Sequence, residues 1–273
     1  MAAFRHLWRQ GLDALASLAV PAPCRVCEET LVTASRVPVC QACLDRIPRL
    51  EEPLCSRCGR FFPSGVPAGV AEPLCQLCRR NVYAFDCARS FAIYERETVK
   101  AITLLKYEAV APLGNWFAER LFELAQRAPE FASADVVVPV PLHATRQIER
   151  GFNQAELIAR PLARRMGKPL RSWLLVRTRP RPDRLRLSRK ERWRIVRGAY
   201  STREGSQVDN LRVLLVDDVF TTGATLDACS RALKQAGAAK IAALTVARVV
   251  PDWVVMRGPA SAGDVAVDGG TSI

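Results

Sequence analysis

No run of about 18 uncharged apolar residues occurs in this chain of 273 residues, so no membrane span is expected. Histidine is scarce: there are two, and His143 lies inside a proline-rich turn, where a structural role is expected. No G-x-S-x-G stretch is present, which leaves nucleophile-elbow hydrolases without support. No other side chain stands out as a general base. A clean export signal is missing too. Phe4, Leu7, Trp8, Leu12, Leu15 and Leu18 repeat at helical spacing, but Asp13 interrupts the apolar stretch and Pro23 stands immediately before Cys24. Those two residues argue against both an ordinary cleavage site and a lipoprotein-type one. Residues 1–20 are read as a cytoplasmic amphipathic helix packed on the rest of the protein, with binding to a membrane surface as the lesser alternative.

Acidic residues are too few to balance the basic ones in two places only. The net charge is +13, of which Thr145 to Arg171 carries +5 and Arg177 to Arg197 carries +8, so the remainder is neutral. A positive field localised in this way suits a polyanion such as a pyrophosphate ester, a nucleic acid, or each in turn. The chain is 49% hydrophobic, ample for a core, and its length suits one medium and one small domain.

Eight of the ten cysteines form four C-x-x-C pairs: Cys24/Cys27, Cys40/Cys43, Cys55/Cys58 and Cys75/Cys78. Two thiolates separated by two residues fit one side of a tetrahedral ion, so four pairs supply two Cys₄ zinc sites. Gaps of twelve residues between the first two pairs and sixteen between the last two match zinc-ribbon spacing, and Gly59 suits a knuckle turn. Sequential pairing is preferred, with an interleaved arrangement left open by spacing alone. The competing reading is a disulfide framework, which needs an oxidising compartment. Closed Cys₄ sites are structural, so metal is expected to fold residues 24–80 and to take no part in chemistry. Cys87 and Cys229 read as buried small apolar residues.

Beyond Cys78 a strand–helix alternation begins, which predicts a mostly parallel sheet covered by helices. Strands are expected near Arg89–Tyr94, Asp135–Val140, Leu174–Arg177, Gly198–Ser201, Arg212–Val216 and Ile241–Val246. Helices are expected near Glu97–Tyr107, Leu113–Ala128, Asn153–Met166 and Thr225–Gly237. The resulting division is an amphipathic helix over 1–20, a double zinc ribbon over 21–85, the sheet domain over 86–250, and a disordered tail over 251–273.

The most informative stretch is Val213-Leu214-Leu215-Val216-Asp217-Asp218-Val219-Phe220-Thr221-Thr222-Gly223-Ala224-Thr225. It runs from a buried strand through two acids into a hydroxyl-and-glycine turn before a helix. At the carboxyl end of a parallel strand, Asp217 and Asp218 can hold vicinal ribose hydroxyls or, through water, Mg²⁺. Thr221, Thr222, Gly223, Ala224 and Thr225 can wrap a phosphate at the helix N-terminus. The blander alternative is an acidic turn with a threonine cap. A second loop follows Val136 to Pro141 and contains His143, Arg146, Arg150, Gly151 and Asn153, the last an expected N-cap. Carboxyl ends of parallel strands share one edge, so both loops can face one crevice, where Arg146 and Arg150 suit a departing pyrophosphate.

The strand–acid–threonine stretch resembles the phosphoribosyl pyrophosphate (PRPP) motif of type I phosphoribosyltransferases, with Phe220 where an aliphatic residue is usual. The whole pattern is similar to the ComF family and the related GntX-like proteins. The resemblance covers residues 20 to 250 and rests on the cysteine pairs, Leu105-Lys106-Tyr107, Pro139-Val140-Pro141-Leu142-His143, Arg150-Gly151-Phe152-Asn153-Gln154, Leu187-Ser188-Arg189-Lys190-Glu191-Arg192, Arg197-Gly198-Ala199-Tyr200 and the Asp217-Asp218 loop. It implies a type I phosphoribosyltransferase-like α/β fold behind an N-terminal double zinc ribbon and, for some members, a part in DNA uptake during natural transformation. Arg184 and Ile195 depart from the Gln and Asn usual there.

Two functions compete. In the first, Mg²⁺-PRPP binds and a phosphoribosyl group passes to an unnamed nitrogen acceptor: Asp217 and Asp218 act on the ribose, Thr221 to Thr225 hold the 5′-phosphate, and Lys106, Arg146 and Arg150 hold pyrophosphate. In the second, the chain is a non-catalytic adaptor that engages single-stranded DNA, with the zinc ribbons docking a helicase-like uptake protein. Arg177 to Arg197 has three readings: a lid over substrate using Ser188 and Lys190, a DNA track using Trp193, or a solvated charge run with Trp193 packed on the core.

Overall fold

The structure is a computed structural model, and it describes residues 23–31, 37–66, 69–180 and 188–250. The expected N-terminal helix, the expected tail and residues 181–187 of the basic segment lie outside the described residues. The strands are β1 (Cys87–Ile93), β2 (Val136–Pro139), β3 (Leu175–Arg177), β4 (Tyr200–Thr202), β5 (Arg212–Phe220) and β6 (Lys240–Arg248). The helices are α1 (Gln41–Asp45), α2 (Gln76–Arg79), α3 (Arg96–Tyr107), α4 (Ala111–Gln126), α5 (Pro129–Ala132), α6 (Ala144–Arg150), α7 (Gln154–Met166), α8 (Arg189–Val196) and α9 (Ala224–Gln235).

Strands β1, β6, β5 and β2 lie side by side in that order, and every pairing is parallel. Their runs of Val, Leu, Ile and Ala follow from burial on both faces, since alternate side chains of a strand enter opposite layers. Leu214, Val216, Leu244 and Val137 pack with α3, α4, α7 and the Cys24–Cys43 knuckle. Val213, Leu215, Ala243 and Val138 pack with α9, the Cys55–Cys78 knuckle and the outlying strands β3 and β4. Both cysteine knuckles therefore contribute side chains to the same two core layers as the sheet.

Several elements differ from the sequence expectation. The motif strand was expected to end at Val216, but β5 continues to Phe220, with Asp217 opposite Thr245 and Phe220 opposite Arg248. Strands β3 and β4 do not join the sheet; they pair antiparallel with each other, Arg177 opposite Tyr200. Residues 144–150 form a helix where a turn was expected. The helix α6 has no buried residue and so no hydrophobic periodicity to read; the His143 side chain accepts from the Thr145 amide at its start, and Gly151 at φ 73 closes it.

Candidate active site

Asp217 and Asp218 are both buried, at the carboxyl-terminal half of the central strand β5. Asp217 Oδ1 accepts the Asp218 amide at 2.9 Å, and Asp218 Oδ1 accepts the Val219 amide at 2.7 Å. Lys106, on the last turn of α3, reaches Asp218 Oδ2 at 2.7 Å, and Gln154 Nε2 donates to the same oxygen at 3.4 Å. Burial, and then the neighbouring Asp218 carboxylate, push the Asp217 carboxyl well above its ordinary value. Burial draws the Lys106 ammonium down, but the adjacent Asp218 and Asp217 outweigh it and leave Lys106 above the usual lysine value.

The turn after β5 leads into α9, whose N-cap is Gly223 at φ 81. A Cβ there would lie 2.6 Å from Tyr83 Cε1 and 2.8 Å from Phe220 Cζ, so both the left-handed backbone and the close packing require glycine. Thr222 Oγ1 accepts the Ala224 amide at 3.4 Å, and Tyr83 donates its hydroxyl to the Thr222 carbonyl at 3.1 Å. The helix dipole and first-turn amides of α9 thus face the open end of the sheet.

A cavity of about 220 Å³ opens between this turn, the two acids and the β2–α6 loop. Of the residues proposed from sequence, Lys106, Arg146, Arg150, Asp217, Asp218, Thr221, Thr222, Ala224 and Thr225 line it. Gly223 sits beneath, against Tyr83 and Phe220, and Gly151 is the helix-ending residue of α6 rather than part of the wall. The Arg150 guanidinium lies 4.9 Å over the Tyr107 ring and donates to Gln154 at 3.3 Å, which ties the cationic wall back to Asp218. Asn153 caps α7 by accepting the Ala155 amide at 3.0 Å, while its own amide donates to the Val140 carbonyl at 3.1 Å.

The basic segment contributes more than its sequence position revealed. Arg177, Arg192, Ile195, Val196 and Tyr200 all line the cavity. Among the described residues Arg177 Nη2 is buried without a hydrogen-bond partner, while Nε donates to the Arg179 carbonyl at 3.0 Å. Ser188 accepts the Glu191 amide at 3.2 Å and Glu191 returns a bond to the Ser188 amide at 2.8 Å, a capping box that starts α8. The S-x-x-E spacing could have announced that helix. Trp193 stacks on Tyr83 with centroids 6.0 Å apart and packs against the core.

Sulfurs of Cys24, Cys27, Cys40 and Cys43 lie within 4.8 Å of one another, as do those of Cys55, Cys58, Cys75 and Cys78. The structure thus brings the pairs together sequentially. Contacts of 3.7 Å between Cys27 and Cys40, 4.0 Å between Cys24 and Cys43, and 3.6 Å between Cys58 and Cys75 are far longer than disulfide bonds. A tetrahedron with metal–sulfur arms of about 2.3 Å has edges of about 3.8 Å, so the donor sets fit zinc. Cys87 and Cys229 are buried and belong to neither set, and burial pushes the Cys87 thiol up to about 12.

Residues 153–265 match the phosphoribosyl transferase domain model. The DNA utilization protein YhgH of Salmonella typhi is 30% identical over 227 residues, covering 82% of this chain and 96% of that protein. The chain belongs to the ComF family. Competence protein ComFC of Bacillus subtilis is 27% identical over 77% of this chain and 84% of its own length. Competence protein F of Haemophilus influenzae is 34% identical over 45% and 55% respectively. The family's phosphoribosyltransferase-type fold accounts for the parallel sheet and the acid-bearing strand seen here. Among the described residues, no helix is long and apolar enough to cross a membrane.

Proposed function

We propose that this ComF-family chain binds PRPP with Mg²⁺ in the cytoplasm and transfers the phosphoribosyl group to a nitrogen acceptor. The observation that carries this reading is a pair of adjacent buried carboxylates, Asp217 and Asp218, opening onto a cavity with a helix N-terminus on one side and arginines on the other. Asp217 and Asp218 orient the ribose hydroxyls and favour the positive charge that develops at C1′. Thr221, Thr222 and Thr225, with the amides around Gly223 and Ala224, hold the 5′-phosphate. Lys106, Arg146 and Arg150 receive the pyrophosphate, with Gly151 ending the helix that carries both arginines, and Arg177 and Arg192 are added to that set. The C1′–O bond breaks with its electron pair leaving on pyrophosphate, and the acceptor nitrogen forms the new bond to C1′. Bound Mg²⁺ supplies charge neutralisation for the pyrophosphate. Zinc in the two Cys₄ sets holds the knuckles against the sheet and has no open position for chemistry. Calorimetric titration of Mg²⁺-PRPP tests the reading: the wild type binds, and Thr222→Trp, which fills the cradle, abolishes binding while the melting temperature holds. Unchanged affinity in Thr222→Trp would sink it.

A second reading is a DNA-engaging adaptor, with the zinc knuckles meeting a helicase-like partner. The segment of charge +8 favours it, as do relatives named for DNA utilization and competence. It requires single-stranded DNA affinity to fall steeply between about 50 and 200 mM salt, with a slope of several ions. A flat salt response rejects it.

A further inference from the structure

Phe220 stands where the motif usually has an aliphatic residue, and the binding of a phosphoribosyl group gives its ring no task. Its surroundings supply one. Arg248, at the end of β6, is 3% exposed, and its guanidinium lies 3.9 Å over the Phe220 ring. Arg248 Nη1 donates to the Cys58 carbonyl at 2.7 Å, and Nη2 approaches Cys58 Sγ at 3.9 Å. Cys58 belongs to the second Cys₄ set, whose four thiolates around a dication leave a net negative charge, so a buried guanidinium beside it is electrostatically matched. The other side of Phe220 faces the phosphate turn, where its ring edge occupies the space a Gly223 side chain would need. Tyr83 closes the circuit: it meets Phe220 edge-on at 6.1 Å, stacks on Phe85 at 4.8 Å and holds the Thr222 carbonyl. Arg57, within the Cys55–Cys58 knuckle, in turn donates to the Tyr83 carbonyl at 2.7 Å and the Phe85 carbonyl at 3.2 Å.

We infer that Arg248 and Phe220 are positioning residues that couple the second Cys₄ metal centre to the phosphate turn, so that metal occupancy there and binding of a phosphorylated ligand at Thr221 to Thr225 stabilise each other. The ligand half rests on the phosphoribosyl reading; the mechanical half rests on the contacts alone. Metal draws Cys58 into place, Cys58 seats Arg248, Arg248 fixes the plane of Phe220, and the ring holds Gly223 in its left-handed turn. Coupling of this kind is reciprocal by thermodynamic necessity. The first Cys₄ set has a different outlet. Arg46 donates to Cys43 Sγ at 2.9 Å and to Glu97 at 3.1 Å, and Lys100 donates to the Val26 carbonyl at 2.7 Å, so its links run to α3 and not to the phosphate turn.

The test compares wild type, Arg248→Met and the milder Phe220→Leu, each as the full chain with zinc counted by atomic spectroscopy. Hydrogen exchange over residues 220–226 reads the turn without any ligand: about tenfold faster exchange is expected in Arg248→Met, with a smaller acceleration in Phe220→Leu and none in α7. Mg²⁺-PRPP should bind Arg248→Met about tenfold more weakly, within the usual range of coupling between sites. In the wild type, PRPP should slow chelator extraction of one of the two zinc ions, and in Arg248→Met it should protect neither. Wild-type exchange in the turn of both variants overturns the inference, as does equal protection of zinc by bound PRPP in wild type and Arg248→Met. Should Arg248→Met lose zinc or fold, Phe220→Leu alone decides. If the wild type binds no PRPP, the phosphoribosyl reading falls while exchange in the turn still judges the coupling.

Discussion

Asp217 holds an ionisable group where burial and a neighbouring acid both oppose its charge. Its raised value stabilises the protonated fold; that contribution is complete below the unfolded carboxylate value near about 3.9 and is lost as pH rises through the raised folded value. A bound Mg²⁺ or a cationic sugar would favour the ionised form, so binding at a pH below the raised value is expected to release a proton from Asp217. Affinity for Mg²⁺-PRPP is therefore expected to rise with pH until Asp217 is ionised. Calorimetry in buffers of different ionisation heat measures the release, which should shrink in Asp217→Asn; equal release in the two proteins would remove Asp217 from the linkage. At this scale much was readable. Adjacent acids after an apolar strand, threonines flanking a glycine, and an Asn before an apolar helix each announce themselves through neighbours in sequence. Arg177 and Arg192 did not, because ten basic residues crowd Arg177 to Arg197 and nothing local separates the two on the cavity wall from the others.

Secondary elements show where periodicity succeeds and fails. Helices α3, α4, α7 and α9 each bury one apolar face, and strands β1, β2, β5 and β6 are rich in buried apolar residues, so their existence follows from spacing and composition. Helix α6 buries nothing, and α8 is so basic that its cap is its clearest sign. Gly114, the fourth residue of α4, looks like a flaw by propensity. The fold explains it: a Cβ would meet the Leu157 carbonyl of α7 at 2.6 Å, so only glycine permits that helix contact. Gly114→Ala should cost about 1–3 kcal/mol by forcing the helices apart, read as a lowered denaturant midpoint with an unchanged slope. A neutral or stabilising result would mean the helices shift freely, and the close packing of α4 on α7 would lose its significance.

In the whole molecule, the cysteine knuckles act as part of the core. Cys24 and Cys43 lie in one layer with Leu214 and Val216, and Cys55 and Cys58 in the other with Val213 and Leu215. Chelation should therefore release two zinc ions per chain and lower the melting temperature of the sheet itself. An unaltered melting temperature in zinc-free protein would show that the layers stand without metal. The parallel α/β class, two Cys₄ donor sets and an acid–threonine turn before a helix could be read from the residues alone, because ligand spacing, burial runs and turn chemistry act within a few residues. Long-range packing alone settles that the cysteine sets pair sequentially, that β3 and β4 leave the sheet, and that Arg248 and Tyr83 brace the turn. Those contacts join residues as far as 190 and 139 positions apart, and no local rule of propensity or spacing carries information over such a separation.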